Sequence, residues 1–184
     1  MSTELSAIGL QNSATGFSYV MKKEMQICPH IKEMYTMNKF ARLLGIGIIS
    51  GIILAVLLHV VYLLTGNEAY VLLYNVDYFP LIHVFSESAW FGIFFHFIFC
   101  IASVVGLYYI LSFIGLQSSG WPYIFVYTVG SGVLFFLTLL TEKPPAADDG
   151  MAWFYWTAAH FVFSIVVAWL VRRFVAPDPG LSLN

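Results

Sequence analysis

Charge is what this sequence has least of. Only 10% of its 184 residues are Asp, Glu, Lys or Arg, against about 25% in soluble domains, which excludes an ordinary water-soluble globule. With a formal net charge of −2, no nucleic-acid partner is expected. Cysteine is nearly absent too. Cys28 is expected in a cytoplasmic segment and Cys100 inside an apolar helix, so the pair cannot form a disulfide within one chain and no disulfide framework exists. The run CPH at 28 to 30 offers two metal-ligand types without a third, which reads as packing or surface. There is no P-loop, no GxSxG elbow and no HExxH helix, so a non-enzymatic protein is expected. No apolar run begins near Met1, which predicts no cleavable signal peptide.

What the chain does have is apolar length. Hydrophobic residues make up 60% of it and mean hydropathy is +0.82. Four windows, about 42–64, 89–114, 122–141 and 152–174, match the roughly 20 residues needed to cross a hydrocarbon core. With no water to satisfy backbone groups there, each should be a helix. The predicted fold is an all-α integral membrane protein, a four-helix bundle spanning 41–175. A cytoplasmic segment at 1–40, amphipathic on the inner leaflet or disordered, precedes it, and a tail at 176–184 follows. The lipid bilayer is its first partner.

Lysine and arginine set the expected orientation. Lys22, Lys23, Lys32, Lys39 and Arg42 precede the first window and Arg172 and Arg173 close the fourth, while only Lys143 falls on the other side. The positive-inside rule then places both termini in the cytoplasm. Glu68, Asp77, Glu87, Glu142, Asp148 and Asp149 make the outer side acidic. Residues 65–88 are too apolar for a solvated loop, yet Asp77, Pro80, His83 and Glu87 argue against a fifth span. An interfacial or re-entrant element is predicted, either a lid over the outer mouth or a Tyr-rich anchor.

The chain also repeats itself. AWFGIFFHFIFCI at 89–101 returns as AWFYWTAAHFVFSI at 152–165, and SGIIL at 50–54 returns as SGVLF at 131–135. A duplicated helical hairpin accounts for both matches. His96 lies seven residues after Ala89 and His160 eight after Ala152, so both sit roughly 10 Å below the outer surface at about 1.5 Å per residue. His59 approaches the same depth from the first helix.

Histidines inside a membrane are functional candidates by default. His59, His96 and His160 form a predicted proton-responsive or ligand-binding cluster, with His83 and Glu87 added if the lid folds over them. Four chemistries fit: protonation, zinc or copper ligation by the three imidazoles, haem held axially by His96 and His160, or a transport path. The rival reading is a structural or partner-binding subunit whose histidines only hold helices together. Gly47 and Gly51 form a GxxxG pair, and Gly130 and Gly132 allow similar close approach, within the chain or in a homo-oligomer.

One set of residues carries a likeness to a known family. Trp90, Gly92 and His96, the pair Pro144 and Pro145, His160, and Arg172 with Arg173 together resemble the YagU-type small bacterial inner-membrane proteins. SVVGLYY at 103–109 is similar to the YqhR group, which has the same four-helix layout. The likeness covers about residues 83–175 and implies an inner-membrane role linked to acid tolerance, with no established molecular activity. YagU-type proteins carry polar residues in helix three, where this chain has Phe135 and Phe136.

Overall fold

The computed structural model describes residues 29–77 and 89–175. It divides into two compact units, Met1–Phe40 and Ala41–Asn184, and the architecture below is that of the second. The described residues are helical, with no strand among them. They comprise α1 (Pro29–Thr65), a 3-10 turn at Glu68–Tyr70, α2 (Val71–Tyr74), α3 (Ala89–Phe113), α4 (Trp121–Leu134, continuing as 3-10 helix over Phe135–Leu140) and α5 (Gly150–Phe174). Four stretches are long and apolar enough to span a membrane: Asn38–Thr65, Trp90–Phe113, Trp121–Leu140 and Gly150–Phe174. The protein is thus an all-α, four-helix, multi-pass membrane protein. Large apolar side chains such as Leu64, Trp90, Phe113 and Leu139 are mostly exposed, as a surface facing lipid tails requires.

Helix boundaries follow local chemistry. Gly66, at φ +72°, ends α1 in the left-handed conformation that glycine adopts without a Cβ penalty. Its N–H donates to Tyr62 O at 2.8 Å. Asp149 caps α5, its side chain accepting from Ala152 N at 2.9 Å, and so satisfies one of the orphan donors of the first turn.

Small residues decide how closely helices approach. A Cβ on Gly47 would lie 2.7 Å from Ile101 Cα, and one on Gly51 3.3 Å from Cys100 Cβ, so α1 and α3 meet almost backbone to backbone along this pair. Gly92 does the same for the segment after α1: a Cβ there would collide with the Tyr74 carbonyl oxygen. That contact seats α2 directly on α3.

Residues 67–77 are also tied sideways. Asn67 Nδ2 donates to Asp149 Oδ2 at 3.3 Å and Asn75 Nδ2 to Thr141 Oγ1 at 3.1 Å. Thr141 Oγ1 in turn donates to Asp77 Oδ2 at 3.4 Å, and Lys143 Nζ lies 3.0 Å from the same carboxylate. Ala69, Leu72, Leu73 and Val76 are buried. The segment is a lid, pinned to the connection between α4 and α5 and packed by its apolar residues onto the bundle.

Candidate functional site

Beneath that lid lies a cavity of about 300 Å³. Leu72 and Leu73 contribute from the lid, Leu54 from α1, and Phe95, Phe99 and Phe163 from the helices. Three polar stripes face it at helical spacing: His96, Cys100 and Ser103 on α3, Tyr127 and Ser131 on α4, and His160 below Trp156 on α5. These spacings of three and four residues place each set on one helix face.

His96 is buried and its Nε2 lies 3.1 Å from Gly51 O. A carbonyl oxygen only accepts, so Nε2 carries the hydrogen and donates. The Cys100 Sγ sits 3.8 Å from Nδ1, and the ring packs edge-on to Tyr74 at 5.9 Å and Phe97 at 5.3 Å. His96 thereby bolts α3 to α1 at the GxxxG contact.

His160 is arranged the other way round. Its Nδ1 lies 2.8 Å from Trp156 O, one turn back on α5, so Nδ1 is the donor and a neutral ring keeps the Nε2 lone pair free. The ring also packs against Trp156, with centroids 4.3 Å apart and the planes tilted by 44°. Among the described residues Nε2 has no hydrogen-bond partner. Both imidazoles belong to residues that line the one cavity.

Tyr127 supplies a second unused polar atom. Its hydroxyl is buried and reaches no partner in hydrogen-bond geometry, while the neighbouring Ser103 Oγ donates to Cys100 O at 2.9 Å and keeps its lone pairs. Buried polar atoms without partners cost free energy, and this one sits at a cavity that also carries a free imidazole lone pair. Gly130 adds space at the same wall, because a Cβ there would meet nothing within 4 Å.

The two sequence repeats make comparable contacts. In the first, the Gly51 carbonyl of the SG element accepts from His96 on the following span. In the second, Ser131 O accepts from Trp156 Nε1 at 2.9 Å and Gly132 O from Trp153 Nε1 at 3.0 Å. Side-chain donors inserted at these carbonyls compete with the backbone ladder, and α4 tightens into 3-10 winding at Phe135.

His59 does not join the cluster. It is exposed, and its ring lies 6.0 Å from both Tyr62 and Tyr70. The inward face of α1 runs through Leu43, Ile46, Ser50, Leu54 and Leu58, and one residue beyond Leu58 is a rotation of about 100° away from it. The expectation of His59, His96 and His160 as a zinc or copper site is corrected accordingly. Among the described residues no group of three His, Cys, Asp or Glu side chains is placed to hold a metal. For haem, the axial pair would have to draw on His96 Nε2 or Nδ1, of which the first is engaged by Gly51 O and the second faces Cys100. His83 and Glu87 lie outside the described residues. Of the glycines read as packing devices, Gly47 and Gly51 sit at close helix contact, Gly132 in ordinary contact with Thr157 and Trp153, and Gly130 at the cavity.

Comparison with family models, with curated proteins and with solved structures gives no significant match for the chain.

Proposed function

We propose that the cavity between His96 and His160 is the functional centre, and that it takes a small, mainly apolar molecule carrying one hydroxyl or similar polar group. The observation that carries this reading is one unpaired imidazole nitrogen, His160 Nε2, on a residue that lines an apolar cavity, with the unpartnered Tyr127 hydroxyl in the wall behind it. The His160 Nε2 lone pair is an acceptor, and the Tyr127 hydroxyl is a donor or acceptor. Apolar walls with a few convergent polar groups are the general form of a small-molecule site. A binding role, sensing or carrying rather than catalysis, follows from the chemistry at the walls. Protonation would convert His160 Nε2 from acceptor to donor, so binding is expected to depend on pH.

The lysine and arginine distribution supports both termini being cytoplasmic with the lid outside, and the YagU-type resemblance supports a bacterial inner-membrane setting. An acid-tolerance role, as in the YagU-type resemblance, is compatible with a proton-responsive site in that position. The structural-subunit reading is favoured at one residue, His96, whose bond to Gly51 joins two helices.

A diazirine-labelled octanol, photoactivated on the detergent-purified protein, tests the proposal. Adducts are expected on Phe95, Tyr127 or His160, and filling the cavity with Gly130→Phe should remove them while helicity by circular dichroism is kept. Adducts confined to outward residues such as Trp90 and Phe113, or a pattern unchanged in Gly130→Phe, would contradict it.

A further inference from the structure

The opposite end of the bundle carries a second feature, with no connection to the histidines. Arg42 Nη1 donates to Phe174 O at 2.7 Å, which satisfies a carbonyl left unpaired at the end of α5. Arg173 lies one residue earlier, its guanidinium 5.4 Å from the centre of the Phe174 ring, a cation–π arrangement. Between α1 and α5 these two arginines head an open groove of about 470 Å³, floored by Ile46, Ile49 and Leu170. Gly45 lines it as well, and a Cβ there would meet nothing within 4 Å, so the trough stays open along its length.

From this geometry we infer a binding site for one anionic phospholipid, with its phosphate between Arg42 and Arg173 and an acyl chain in the trough over Gly45. Both arginines lie at the ends of spans, Arg42 near the start of Asn38–Thr65 and Arg173 in the last turn of Gly150–Phe174, which is headgroup depth. Arg42 spends one donor on Phe174 O, and a guanidinium has five. That bond also neutralises the C-terminal carbonyl that would otherwise repel a phosphate. The apolar floor excludes a free inorganic anion as the natural occupant, since it would leave Ile46, Ile49 and Leu170 uncovered. Basic pockets between membrane helices are suited to anionic headgroups on general electrostatic grounds.

Native mass spectrometry of the full chain, released from detergent after incubation with phosphatidylglycerol or phosphatidylcholine vesicles, tests the inference. Retention of phosphatidylglycerol over phosphatidylcholine is expected. Arg173→Gln should weaken that retention about fivefold, equivalent to about 1 kcal/mol per arginine. Gly45→Leu, which projects into open space and should leave the fold intact, should abolish it. Equal retention of the two lipids, or phosphatidylglycerol retention unaffected by both variants, would overturn the site. Displacement of the lipid by millimolar inorganic phosphate would also overturn it, by showing an anion site without an acyl component.

Discussion

The two intramembrane imidazoles present opposite faces to their carbonyls: His96 donates from Nε2 to Gly51 O, and His160 from Nδ1 to Trp156 O. Their substitutions should therefore behave differently. In His96→Phe a bond between helices is lost, with an expected cost of roughly 0.6 to 2 kcal/mol, whereas His96→Gln keeps an N–H donor and should recover most of it. At His160, whose bond is within its own helix, Gln should leave thermal stability in detergent near the parent and impair the octanol photolabelling instead. Gly92 offers a sharper case. Ala at that position drives a Cβ into the Tyr74 carbonyl oxygen, so a loss of about 1 to 3 kcal/mol is expected, read as a lowered unfolding midpoint. Gly106→Ala, with nothing within 4 Å, is the control and should not lower the midpoint, since Ala is the better helix residue. His96 and His160 were legible from depth and repetition alone, since both count inward from an AWF start. His59 falls outside the cluster because depth along a helix carries no information on rotation, and the phase of Leu54 and Leu58 on α1 turns it outward. Tyr127 and Cys100 carry no signal taken one at a time, although His96, Cys100 and Ser103 form a polar stripe at spacings of four and three within an otherwise apolar helix.

At the scale of elements, the lid depends on a few polar contacts to the connection between α4 and α5. Thr141 is the hub, accepting from Asn75 and donating to Asp77. Thr141→Val should leave Asn75, which is 3% exposed, without its side-chain acceptor, at a cost of about 1 to 3 kcal/mol. Hydrogen exchange over residues 68–77 should then accelerate while α3 and α5 stay protected. Lys143→Gln, breaking a partly exposed ion pair, should cost less than about 1 kcal/mol, and exchange should show little change. The four spans were readable because each is a long apolar run with its charges at the ends. The lid was readable only as an interfacial element, because apolar content and scattered polar groups in 65–88 do not specify a 3-10 turn and one turn of helix. Those short pieces exist through tertiary contacts, the bare backbone of Gly92 above all, and the connection's Asn and Thr partners are not adjacent in sequence.

For the whole molecule, the charge distribution predicts that a cysteine at Asp148 reacts with an impermeant maleimide in intact cells, in a background with Cys28 and Cys100 replaced by Ser. A reporter fused after Asn184 should be active only in the cytoplasm. The opposite labelling would invert the bundle without altering its interior. That interior is the central matter: an apolar cavity beneath the lid at which His96 bonds a neighbouring helix and His160 bonds its own, with the proposal that His160 Nε2 meets the ligand. The most direct measurement is the 15N magic-angle-spinning spectrum of histidine-labelled protein in lipid, with His96→Gln and His160→Gln used for assignment, recorded before and after adding octanol. The account predicts a hydrogen-bearing Nε2 on His96, a hydrogen-bearing Nδ1 and bare Nε2 on His160, and a shift of the His160 Nε2 resonance alone when octanol enters. Identical tautomers at the two sites, or a His160 Nε2 resonance that ignores octanol, would contradict it.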